Sequence, residues 1–107
     1  MSGFDEREKA FESKYKHDQD LKFKVEVRRN KLLGLWIANE LLGKSGEDAD
    51  AYAKDVISSD FEEPGDEDVV RKIMADIEGA GVDFSEHRLR TKMEECLQEA
   101  KQQIMAE

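Results

Sequence analysis

The sequence predicts an all-α protein, a compact antiparallel four-helix bundle preceded by a flexible, helix-prone N-terminal arm. Charged residues make up 40% of the 107-residue chain and hydrophobic ones 38%, with one proline, which suits amphipathic helices with solvated faces better than packed sheets. No Gly or Pro interrupts residues 4–33, so nothing there marks the end of a helix. Further on, apolar residues recur at helical spacing in blocks separated by Gly- or Pro-containing turns.

A chain of this length buries one core. Residues 1–20 read as the arm, partly disordered when free, and residues 21–107 as the bundle, with helices over about 21–43, 46–60, 66–79 and 84–105.

The first helix contains LKFKVEV, where Leu21, Phe23, Val25 and Val27 alternate with charges as a half-buried strand would. A strand there would have no partner for its backbone groups, so helix is the better reading. Leu32, Leu33, Leu35, Trp36, Ile37, Leu41 and Leu42 then cover most of a helix circumference, as the central element of a bundle requires. Trp36 is expected in the core, Gly34 is expected to permit close helix approach, and Gly43 to cap the helix.

Ser45 and Asp48 resemble a capping box for the second helix, whose apolar positions are Ala49, Tyr52, Ala53, Val56 and Ile57. Pro64 breaks the chain, and Gly65 and Asp66 start the third helix with its stripe of Val69, Val70, Ile73, Met74 and Ile77. The run Gly79-Ala80-Gly81 stops it. Asp83 and Glu86 offer a capping pair for the fourth helix, where Leu89, Met93, Cys96, Leu97, Ala100 and Ile104 form the apolar face.

The net charge of -9 and pI near 4.8 argue against nucleic-acid and anionic-lipid partners, and point to proteins. Residues 1–24 balance to zero, so the whole charge falls on residues 25–107, and Ser45 to Asp68 holds ten acids against Lys54 alone. A single cysteine, no apolar leader and no run long enough to span a bilayer fit a soluble cytoplasmic protein.

Chemical motifs are incomplete. Gly43-Lys44-Ser45 ends like a phosphate-binding loop, but Ala38 stands where the first glycine belongs and the preceding element is a helix. Asp60, Glu62 and Gly65 fit part of a calcium loop, yet Arg71 occupies the position of its bidentate glutamate. His17, His87 and Cys96 lack zinc-ligand spacing. No catalytic residue, cofactor or metal is expected.

On a helix Phe4, Phe11 and Tyr15 fall at i, i+7 and i+11, one narrow seam flanked by Arg7 and Glu8. Acid-before-base pairs four residues apart, such as Asp5 with Lys9 and Glu12 with Lys16, favour helix by about 0.2–0.5 kcal/mol each. An unsupported helix of this length is marginal in water. Two readings stand side by side: an arm that orders on meeting a partner, and an extension that packs back along the bundle.

The strings FDEREKAFESKY, VRRNKLLGLW, ELLGKSG, AYAKDV and EEPGDEDVVRK together resemble the zeta subunit, the ATPase inhibitor of alphaproteobacterial F-type ATP synthases. That resemblance implies a four-helix body and an N-terminal segment that blocks ATP hydrolysis at a catalytic alpha/beta interface of the soluble head, close to the rotor stalk. It implies the alpha, beta and gamma subunits as partners, a free monomer, and a cytoplasmic location peripheral to the inner membrane. Carried onto this chain, Phe4, Phe11 and Tyr15 would be apolar anchors, and Arg7, Glu8, Lys9 and Lys14 polar contacts. Two other readings remain, a nucleotide-binding bundle using the Lys44 stretch and a non-inhibitory assembly factor.

Overall fold

The stretch without Gly or Pro lies inside one uninterrupted helix, α1 (Ser2–Glu40), in a computed structural model that describes the backbone of residues 2–61 and 65–107 and the side chains of 19–61 and 65–107. The strand-like LKFKVEV run lies inside it, because helical hydrogen bonds satisfy backbone groups that an isolated strand would leave open. Three shorter helices follow: α2 (Gly46–Ser59), α3 (Glu67–Gly79) and α4 (Glu86–Ala106). The expected break at Pro64 lies outside the described residues.

α1 packs against both α2 and α4, and α3 closes the bundle against the same two neighbours. Trp36 of α1 meets Lys92 early in α4, whereas Arg28 meets Gln103 near its end, so these helices run antiparallel. Leu33, Ile37, Val56, Val69, Ile73, Ile77 and Leu89 form the centre of the core and are almost fully buried. Cys96 is buried among them as a small apolar residue.

Gly34 sets the closest helix contact. A Cβ there would stand 2.6 Å from Ala53 Cα and 3.3 Å from Val56 Cγ2, so α2 lies against bare α1 backbone.

The helix ends differ in detail from their expected chemistry. Lys44 N–H returns 2.8 Å to the Ala38 carbonyl across left-handed Gly43 (φ +66), ending α1 three residues before the expected boundary. α3 closes in a Schellman turn, with Val82 N–H to Ile77, Gly81 N–H to Glu78, and φ +72 at Gly81. Ser45 occupies the α2 N-cap position without a side-chain cap bond. For α4 the cap is Ser85, whose hydroxyl accepts from Arg88 N–H at 3.2 Å, in place of the expected Asp83. Its extended backbone and short hydroxyl meet the requirement that an N-cap makes.

Trp36 is a second correction. It packs against the core from the edge of the bundle and is only partly buried, because its broad ring outgrows the space between α1 and α4 and ends over Phe84.

Candidate functional site

Near residue 21 α1 leaves the bundle. Leu21 and Val25 are half-buried beside Leu97 and Lys101 of α4, in a groove of about 440 Å³, while Gln19 and Asp20 are exposed. α4 ends in an Arg28–Glu107 pair at 2.7 Å, and the turns of α1 upstream of residue 21 extend beyond its last turn. At 1.5 Å per residue, Ser2 to Asp20 covers about 28 Å, and the molecule accordingly measures 66 Å along its long axis against 25 and 21 Å across.

All seven candidate site residues, Phe4, Arg7, Glu8, Lys9, Phe11, Lys14 and Tyr15, fall on this part of the α1 backbone. Their side chains lie outside the described residues.

The root of the arm is held by three consecutive residues to which the sequence assigned no structural role. Arg28 donates to Gln103 Oε1 at 2.8 Å and Glu107 Oε1 at 2.7 Å, tying α1 to the end of α4. Arg29 points elsewhere. Its buried guanidinium lies 2.9 Å from Asp66 Oδ1 and donates through Nε and Nη2 to Asn30 Oδ1 at 3.0 and 2.9 Å. Asn30, itself buried, passes the chain of bonds to Asp60 Oδ2 at 3.0 Å. Asp66 makes no side-chain cap bond to α3: its backbone is helical (φ -100, ψ -1) where a cap needs an extended one, and its carboxylate faces Arg29.

Adjacent to the network Phe23 and Phe61 stack at 5.9 Å, and both remain more than half exposed. The Arg28-Arg29-Asn30 triplet gave one signal in sequence: with Lys31 it makes four consecutive polar side chains between Val27 and Leu32, too long a run for one solvent face of a helix, and polar groups persist in a core only when paired.

Lys44, the lysine of the incomplete phosphate-loop match, borders a depression of about 470 Å³ that also contains Asp55 and Asp76. Asp76 there accepts from Tyr52 at 2.8 Å and Lys72 at 3.0 Å, and two carboxylates disfavour a phosphate. Among the described residues no group of three or more His, Cys, Asp or Glu is placed to hold a metal ion, and no helix is long and apolar enough to cross a membrane.

Fold and arm root together define a four-helix protein that carries one helix far past its own bundle. The family model for ATPase inhibitor subunit zeta matches residues 1–103, and the chain belongs to that family. A protein solved by solution NMR shares 50% identity with it at a TM-score of 0.71, the match covering 80% of this chain and 96% of that one. No protein with a curated description matches the chain.

Proposed function

We propose that the chain inhibits ATP hydrolysis by an F-type ATP synthase by inserting residues 1–20 at a catalytic alpha/beta interface of the soluble head, beside the gamma subunit of the rotor stalk. The observation that carries this reading is membership of the inhibitor family over a span that includes the arm. The continuous α1 helix supports it, since the arm can enter a partner groove as a straight extension of α1, without a bend at the bundle. When free the inhibitor is a monomer in the cytoplasm, and it becomes peripheral to the membrane through the head.

Phe4, Phe11 and Tyr15 are the apolar anchors in this reading, with Arg7, Glu8, Lys9 and Lys14 contacting the groove walls. Completing a helix that is marginal alone costs ordering free energy, which the buried aromatics offset. A wedge of this kind stops turnover by blocking the opening and closing of an interface, with no chemistry of its own.

The test is ATP hydrolysis by the cognate head with the full-length chain and with Phe11→Ala/Tyr15→Ala. Buried aromatic anchors are worth about 2 kcal/mol or more each, so removing two should lower potency by about a hundredfold or more. Equal potency of the two proteins would remove the arm from the mechanism.

A further inference from the structure

At the opposite end of the body from the arm root, Trp36 and Phe84 face each other at 5.8 Å with their planes tilted by 50°. Arg88 lies over the Phe84 ring at 4.7 Å and Lys92 over the Trp36 ring at 4.6 Å. With His87, Thr91 and the carboxylate-bearing Glu95 these four residues line an open depression of about 400 Å³.

We propose that this platform docks an acidic helical segment of a partner protein. Among the described residues Arg88 has no carboxylate within ion-pairing distance, and Lys92 has only the exposed Glu95 at 3.3 Å. On a chain with net charge -9, Arg88 thus stands as a cation without an acidic partner among the described residues, and Lys92 is shared between Glu95 and the Trp36 ring. The rings also hold both cations in place, so little side-chain freedom is left to lose on binding.

The geometry selects the occupant. Arg88 and Lys92 are four residues apart on one face of α4, which sets their stems about 5–6 Å apart. Glutamates at i and i+4 of an approaching helix repeat that interval, while apolar atoms between them can rest on Trp36. Tryptophan and arginine at the centre of a contact are also the residue types that dominate binding energy. This surface is separate from the arm, and its test does not depend on inhibition.

Trp36 is the sole tryptophan, so its emission reports directly on the site. The full-length chain is titrated with a capped helical peptide carrying Glu pairs at i and i+4 around one Leu. The proposal expects a saturable change with a dissociation constant of about 1 mM or tighter. Arg88→Glu/Lys92→Glu should weaken it at least about tenfold, and added salt should weaken it progressively. Arg88→Gln/Lys92→Gln serves as a second variant if charge reversal disturbs folding, checked by thermal melting, and should also weaken binding. No saturable change with the peptide would overturn the proposal. So would an equal response to inorganic phosphate at matched ionic strength, an undiminished response in the glutamine variant, or an emission change driven by protein concentration alone, which would assign the face to a second copy.

Discussion

Arg29 and Asp66 meet at 2.9 Å across the junction of α1 with the loop before α3, the arginine side chain 5% exposed and the aspartate 50%. One partner is therefore dry and the other half-hydrated, and removing each has a different cost. Arg29→Ala strips Asn30 and Asp66 of their donor and leaves a cavity, so it should destabilise the fold by about 2–3 kcal/mol. Asp66→Asn keeps the shape and leaves Arg29 near Asp60, so about 1 kcal/mol is expected. Urea unfolding of both variants checks the ordering.

Two glycines on helices should respond to alanine in opposite directions. Gly34→Ala drives a methyl into the α2 backbone at Ala53 and should cost about 1–3 kcal/mol despite better helix propensity. Gly79→Ala meets nothing within 4 Å and should stabilise by roughly 0.5–1 kcal/mol. Thermal melts of the pair separate packing from propensity.

Alkaline pH should weaken the fold in two stages. Burial, reinforced by the hydrogen bond to Asp76, pushes the Tyr52 phenol above its ordinary value of 10.0. Burial likewise pushes the Cys96 thiol above 9.0. In each case the unfolded chain loses its proton first, so stability is intact below the unfolded value and declines as pH rises above it. The decline should begin near pH 9 from Cys96 and steepen above about pH 10 from Tyr52. Cys96→Ala should remove the first stage and Tyr52→Phe the second, read from unfolding free energies across about pH 8 to 11.

The same burial should protect Cys96 from thiol reagents. Modification at neutral pH should track opening of the α4 packing and accelerate with urea, since thiolate formation is disfavoured in the core. Reaction at the rate of a free thiol would contradict the buried placement.

Helical periodicity made the bundle legible, because Ile73 and Ile77, or Leu89, Met93 and Cys96, reach the same face by spacing alone. Gly34, Gly43 and Gly81 were legible for the same reason, as backbone that only glycine suits. Capping was less so: Asp66 and Ser85 are both good cap residues, but Ser85 has the extended backbone a cap needs, whereas Asp66 is helical and pairs with Arg29. The burial of Arg29 and Asn30 was hidden for a related reason, since their partners Asp60 and Asp66 lie 30 or more residues away. The arm showed itself through charge balance and aromatic spacing, whereas the cation-covered rings of Trp36 and Phe84 depend on a helix pairing that no local pattern encodes.

Arg28 and Arg29 occupy successive positions of α1 yet fasten it in different directions, one to Gln103 and Glu107, the other to Asp66. Two fastenings about 100° apart fix how far a rod is turned as well as where it stands. The bundle thereby indexes the arm, assigning a compass bearing to every position upstream on the same helix. Inserting one residue beside exposed Gln19 would leave the body intact and turn the α1 backbone at positions 4–15 by about 100° relative to the bundle.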